Sequence, residues 1–213
     1  MAGSNWDHNS FYHRFLLRQL PDRCARVLDV GCGAGGFAVE LARRAEQVDA
    51  IDRSPAMIDA AKQAAPGNVT CILGDVLEQP LPAGSYAAIV SISTLHHMPL
   101  DEVLPVLAGA LRPGGVLAVV ALPRADLTRE WPIELVAAIG HRILGIVFAG
   151  LREFGRGDWH ALEPSHDAMP VVLDPPLTTR QVRERAVALL PGARVRRRVF
   201  WRYSLVWHKP VVG

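Results

Sequence analysis

The run Val27-Leu28-Asp29-Val30-Gly31-Cys32-Gly33-Ala34-Gly35-Gly36-Phe37 constrains the fold more than any other stretch of the chain. A short apolar strand ends on a carboxylate, passes through glycines and opens into a helix, which is the order of a βα unit that returns to a parallel strand. The alternation then repeats. Apolar and β-branched runs at Ala25 to Val30, Val48 to Ile51, Val69 to Leu73, Tyr86 to Ile92 and Val116 to Ala121 are separated by amphipathic stretches, predicting one doubly wound α/β domain. Helices are expected from about Gly36 to Ala45, and after Ser54, where Pro55 occupies the first helical position. A leading helix capped by Asn9 or Ser10 carries Phe11, Phe15, Leu16 and Leu20 at helical spacing and ends at Pro21. At the far end, a helix from about Thr179 to Leu190 leads into closing strands at Arg194 to Phe200 and Tyr203 to Trp207. The expected organisation of residues 1–213 is a cap helix (1–21), a core (22–122), an insertion (123–177) and the closing helix and strands (178–213).

Composition narrows the function. Half of the 213 residues are apolar, enough for a sizeable core, and the formal net charge of +2 lacks the basic excess of a dedicated nucleic-acid binder. Cys24, Cys32 and Cys71 form no Cys-x-x-Cys or Cys/His cluster, so neither a disulfide framework nor structural zinc is expected. The polar first ten residues do not read as a secretory leader, and the expectation is a cytoplasmic protein. Lys62 and Lys209 are the only lysines among 23 basic residues, a usage that fits a GC-rich, bacterial coding sequence. The apolar run Ile133 to Leu151 approaches spanning length but contains Glu134, Gly140, His141, Arg142 and Gly145, so it is expected to be a lid helix, with interfacial contact through 133–151 left open.

Two ligand classes fit the glycines. Gly31, Gly33 and Gly36 satisfy the dinucleotide fingerprint, with Asp52 near the place of its ribose acid. Asp29 decides against a dinucleotide, because a carboxylate two residues before the first glycine repels a pyrophosphate and attracts a cation. S-adenosyl-L-methionine carries a sulfonium and an α-ammonium. Asp29 can accept from the ammonium, directly or through water, while Gly31, Gly33 and Gly35 let the backbone approach the amino-acid tail. Asp52, after the second strand, can accept both ribose hydroxyls. Asp75, after the third, can accept from the adenine amino group, with Val76 donating its backbone N–H. Arg53 and Met57 are expected near the adenosine, and Ile51 and Leu77 on either side of its ring.

At these residues the chain resembles the class I S-adenosylmethionine-dependent methyltransferases, in particular their small-molecule branch. The matching motifs are Asp29-x-Gly31-x-Gly33-x-Gly35, Asp52, Gly74-Asp75, the segment Ala87 to His97, and Leu111-Arg112-Pro113-Gly114-Gly115. The resemblance covers roughly residues 10–122, with a vaguer likeness over Arg194 to His208 and none over 123–177. The resemblance implies a Rossmann-like, seven-stranded, mostly parallel sheet whose last strand is antiparallel, with the cofactor over the first four strand ends. It also implies that Ser91 and Ile92 face the methionine part, and that the leading helix closes over the donor and brings Tyr12 and His13 near it. Asp29 departs mildly from the pattern, since the family often has the longer Glu there.

Methyl transfer from a sulfonium is an in-line displacement, so such an enzyme mainly aligns its acceptor, and a base is needed only for an acceptor that arrives protonated. His96 and His97, after strand four, are the candidates to take that proton or hold an acceptor oxygen, with His96 the favoured of the two. Packing beneath the cofactor or capping the next helix explains them as well. His160 and His166, near Asp158, Glu163 and Asp167, match no ligand template, and no metal is expected. Cys32 reads as a small packing residue inside the turn. Arg194, Arg196 and Arg198 share one strand face and read as a solvated edge. The expected activity is methyl transfer to a small apolar or aromatic metabolite. The alternatives are an RNA or protein methyltransferase, for which the arginine run is the support, an NAD-dependent oxidoreductase on the same glycines, and a methyltransferase-like protein that binds the cofactor without catalysis.

Overall fold

The structure, a computed structural model, describes residues 8–126, 140, 142, 143, 147 and 175–211. Seven strands are present: β1 (Cys24–Val30), β2 (Ala45–Asp52), β3 (Val69–Leu73), β4 (Tyr86–Ile92), β5 (Leu111–Ala121), β6 (Arg194–Arg198) and β7 (Arg202–His208). They form one sheet in the order β3-β2-β1-β4-β5-β7-β6, in which β7 runs antiparallel to both neighbours and β1 to β5 are parallel. The strand order reverses between β1 and β4. In an open parallel sheet, that switch opens a crevice at the carboxyl ends of the strands, and the candidate residues follow those ends.

Helices cover both faces, which is why β1, β4 and β5 read as nearly continuous apolar runs. On one face Val27, Val90, Ala118 and Val120 pack with Leu16 of α1 (His8–Leu17), Phe37 and Leu41 of α2 (Gly36–Leu41) and Ile58 of α3 (Pro55–Ala64). On the other, Leu28, Ile89, Leu117 and Val119 pack with Leu104 and Leu107 of α4 (Leu100–Ala110) and Val182 and Ala186 of α5 (Thr179–Leu189). Each buried leucine here is worth about 2–5 kcal/mol against alanine.

Most boundaries follow local chemistry. The Ser54 hydroxyl accepts from the Met57 amide at 3.4 Å and starts α3, with Pro55 in the first turn. Thr178 and Gln181 form a reciprocal capping box at α5. At α1 the expectation needs correcting: His8 is already helical, so Asn9 and Ser10 lie within the helix, and the Asn9 carboxamide oxygen accepts from the Ser93 hydroxyl at 2.6 Å and from the Arg202 guanidinium at 3.3 Å. Helix α2 also stops short of the expected Ala45, which is the first residue of β2. Helix α4 has no counterpart among the elements predicted above. Pro105 lies inside it, on its exposed side, while Leu100, Val103, Leu104 and Leu107 are buried at helical spacing. Lys209 closes its end, donating to the carbonyls of Ala108 and Leu111 at 2.7 Å each. Strand β6 ends at Arg198, earlier than expected, because Phe200 and Trp201 turn the chain with positive φ angles of 54° and 56°.

The predicted helix Ile133 to Leu151 lies outside the described residues except for Gly140, Arg142, Ile143 and Val147, which are helical, and so does the loop with His160 and His166. The two ends of the insertion are joined by a parallel bridge between Arg124 and Thr178. Among the described residues no helix is long and apolar enough to cross a membrane.

Candidate active site

The glycine turn is held by the strand beside it. The amides of Gly31 and Cys32 both donate to the Ile51 carbonyl, at 2.8 and 3.0 Å, so the chain leaves β1 by folding over the end of β2. Gly31 adopts φ 72° and Gly35 φ 86°, both in the left-handed region. Each is also closely packed: a Cβ on Gly31 would run into the Thr94 side chain, and one on Gly35 would approach the Ala61 Cβ to 3.0 Å. Thr94 was missed by the sequence reading, and only its place just after β4 pointed to it.

Two acids flank this turn and a third follows the neighbouring β3. Asp29 is 2% exposed and its Oδ2 has no hydrogen-bond partner. Burial pushes its carboxyl up to about 7, the positive field of His13 opposing the shift and the charge of Asp52 adding to it. Asp52 is a tether: Oδ2 accepts from the Gly33 amide at 3.0 Å and Oδ1 from the Ser54 amide at 2.9 Å. Its carbonyl accepts from Gly74, which brings the β3 end alongside and sets Asp75 next to it. Asp75 makes a local turn, Oδ1 accepting from the Leu77 amide at 2.9 Å. Met57, Val76 and Ile51 are buried around these ends, Leu77 is half-buried and Arg53 is exposed.

Other expected site residues are engaged within the fold. The Ser91 hydroxyl is fully buried and donates to the Val30 carbonyl at 2.9 Å, locking β4 to β1, while Ile92 at the strand end is half-buried. Tyr12 is buried and donates to the Val199 carbonyl at 2.6 Å, and burial raises its hydroxyl to about 12. His13 meets Glu40 at 2.8 Å and packs on Phe37. Burial, reinforced by Asp29 and Asp52, pushes the Cys32 thiol up, in keeping with a packing role. Of the arginine run, Arg198 lies over the Phe15 ring and donates to Ser204, and Arg197 donates to the Arg202 carbonyl, while Arg194 and Arg196 face solvent on the edge strand.

His96 and His97 form a 3-10 turn after β4, their ring centroids 4.1 Å apart. They line an open cleft of about 540 Å³ with Met98, Pro99, Leu100, Arg124, Pro176, Leu177, Gln181 and Arg185. His96 is 8% exposed with no partner at Nδ1, and burial drives it down to about 3, so its imidazole is neutral and weakly basic. His97, half-buried, is lowered by burial and by the Arg53 guanidinium. That influence joins the β2 end to the cleft.

S-adenosylmethionine fits this arrangement. A buried carboxylate oxygen without a partner, beside a glycine turn that leaves no room for side chains, is the counterpart of an ammonium on a slender amino-acid tail. Among the described residues no group of three or more potential metal ligands occurs. The methyltransferase-domain family model matches residues 27–115, from β1 into β5. An uncharacterised methyltransferase of Mycobacterium tuberculosis is 33% identical over 97% of this chain and 98% of its own. The chain belongs to the S-adenosylmethionine-dependent methyltransferases. The 27-O-demethylrifamycin SV methyltransferase of Amycolatopsis mediterranei is 30% identical over 70% of this chain and 64% of its own. The structure of the N-methyltransferase NodS from Bradyrhizobium japonicum with S-adenosyl-l-homocysteine shares the fold, with a TM-score of 0.59 and 17% identity over 94% of this chain and 87% of that one. In this methyltransferase, Asp52→Ala is expected to weaken S-adenosylhomocysteine at least about tenfold by calorimetry, since charge-assisted hydrogen bonds are worth about 1.5–3 kcal/mol each. The same change frees the Gly33 and Ser54 amides, so Asp52→Asn, which keeps an acceptor for one of them, should recover part of any lost stability. Unchanged affinity in the folded alanine variant would refute the ribose assignment.

Proposed function

We propose that this single-domain methyltransferase acts in the cytoplasm on a small acceptor with an apolar or aromatic body, held in the cleft beside His96 and His97. The carrying observation is the position of that cleft: it opens at the end of β4, its walls include Met98, Pro99, Leu100, Pro176 and Leu177, and Arg53 from the β2 end acts on His97. When bound, S-adenosylmethionine supplies an electrophilic methyl group. Asp29 accepts from its ammonium, the turn from Gly31 through Gly33 to Gly35 cradles the amino-acid tail, and Asp52 accepts from the ribose. Asp75 and the Val76 amide read the adenine, with Met57 and Arg53 beside the adenosine. Ile92 and the backbone at Ser91 border the methionine part, and Tyr12 sets the position of the cap helix above it. His97 is the better placed of the two histidines to accept a proton, because deeper burial leaves His96 the weaker base. His96, as a neutral ring, holds an acceptor oxygen. Supporting a small acceptor is the name of the Amycolatopsis relative, whose substrate is a 27-O-demethylrifamycin.

The test incubates the protein with methyl-labelled donor and a cell extract, then separates organic-soluble, RNA and protein fractions. Label in the organic-soluble fraction is expected. Label confined to RNA or protein overturns the small-acceptor reading, and no transfer alongside S-adenosylhomocysteine binding would make the chain a cofactor-binding protein.

A further inference from the structure

The acceptor cleft is not electrically neutral. Arg124 and Arg185 both line it. Arg185 is offset by Asp101, whose carboxylate it meets at 2.8 Å. Arg124 has no acid partner among the described residues; its one recorded side-chain contact is with Gln181 Oε1 at 3.4 Å. That oxygen already accepts from the Thr178 amide at 2.9 Å and from the Thr178 hydroxyl at 3.1 Å, so it is shared and weakly committed to the guanidinium. The backbone beneath Arg124 is fixed, its amide donating to the Leu177 carbonyl at 2.7 Å and its residue bridging to Thr178. A guanidinium on a fixed backbone keeps most of its five donors for a planar oxyanion. A second observation comes from the same lining, where the buried Nδ1 of His96 has no partner. Buried polar nitrogens are rarely left unpaired, and this one belongs to a ring that lines the same space.

We propose that the methyl acceptor carries an anionic oxygen group, a carboxylate or a phosphate, that seats on Arg124 while its apolar body lies along Met98, Leu100 and Leu177 toward His96. This rests on the reading of the cleft as the acceptor site and adds a charge requirement to it. Arg124 is exposed, so a purely apolar acceptor would lie against a hydrated guanidinium and leave it without an ion pair. Specificity then follows from the ion pair itself, since a neutral analogue displaces water from Arg124 without offering an anionic partner in return.

Three probes with the same ring decide it: benzoate, phenyl phosphate and benzyl alcohol, each titrated into the protein saturated with S-adenosylhomocysteine and followed by NMR line shifts. The anions are expected to bind at least about tenfold more tightly than the alcohol, and the tighter anion identifies which group the acceptor carries. Arg124→Gln should abolish that preference and Arg124→Lys keep part of it, both with unaltered S-adenosylhomocysteine affinity. Equal binding of the three probes, or a preference that survives Arg124→Gln, overturns the proposal. Failure of the wild type to bind S-adenosylhomocysteine would instead strike the cofactor assignment, so the two failures are distinguishable.

Discussion

Asp29→Asn is expected to weaken the cofactor and stabilise the empty protein, with both effects growing as pH rises from about 4 and complete above about pH 7. The carboxyl of Asp29 is raised by burial from an ordinary 3.8 to about 7. Between those values the folded chain holds a proton that the unfolded chain has lost, so stability falls as pH rises across that window and stays low above it. Below about pH 4 both states are protonated and the group costs nothing. Asparagine removes the cost without changing the shape, so the difference in stability should open from zero near pH 4 to a plateau above pH 7, with a ceiling of about 4 kcal/mol set by the shift. Cofactor affinity moves oppositely. An ammonium needs the ionised carboxylate, and its binding to the wild type should strengthen up to about tenfold per pH unit until pH 7, then level off. At pH 8 the variant should bind S-adenosylhomocysteine about 10–150-fold more weakly, the worth of one charge-assisted hydrogen bond. Calorimetry and thermal melts from pH 5 to 8.5 read both curves. A stability gap that does not change with pH would refute the raised carboxyl, and equal affinities at pH 8 would remove Asp29 from the ammonium's reach.

The opposition between those curves explains how much of the site could be read in advance. Asp29, Asp52 and Asp75 could be picked out as candidates because they fall at or beside three successive strand ends, where an open parallel sheet binds ligands, though Asp52 and Asp75 also hold backbone amides of the turns around them. Their order along the chain is also their order in space, since β1, β2 and β3 are neighbours. Short-range periodicity carried the strands for the same reason: β3 and β4 fall at the expected residues, where apolar runs are bounded by turn formers. What stayed hidden depends on pairing across long separations. Nothing near Asn9 in the chain announces that its carboxamide serves Ser93 and Arg202. Asp49 reads as an ordinary polar residue until the fold sets it, buried, between Arg26 and the Tyr86 hydroxyl at 2.7 Å. Pro105 conceals α4, because a helix interior is where proline is least expected, though on the exposed side of an amphipathic helix its lost hydrogen bond is the main penalty. Arg124 and His96 lie 28 positions apart in the sequence, and the parallel pairing of β4 with β5, which sets Ile92 beside Val120, brings the segments after the two strands to one cleft.

Gly31→Ala should be strongly destabilising for the addition of a single methyl group. Two independent penalties meet there. At φ 72° alanine is placed in a region L-residues rarely adopt, worth about 1–2 kcal/mol. The added carbon also falls within the Thr94 side chain, overlapping its Cβ as well as its tips, so rotation of that side chain gives no relief. Overpacking of this kind costs about 1–3 kcal/mol more, and a combined loss of about 2–5 kcal/mol is a large share of the 5–15 kcal/mol typical of a domain. The consequence reaches function through the same contact, because Thr94 hydrogen-bonds to the Ile92 carbonyl at 3.0 Å and follows Ser93, whose φ of 53° already turns the chain sharply at the end of β4. Displacing Thr94 therefore moves the β4 end and the His96-His97 turn together with the glycine turn, and both cofactor affinity and transfer should fall. A double-mutant cycle separates strain from collision. Adding Thr94→Gly clears the overlapping atoms and leaves the left-handed alanine, so the pair Gly31→Ala, Thr94→Gly should be more stable in urea than the two single losses sum to, by about 1–3 kcal/mol. Additive losses would mean that the two side chains avoid one another, and that the first glycine is needed for its backbone conformation alone.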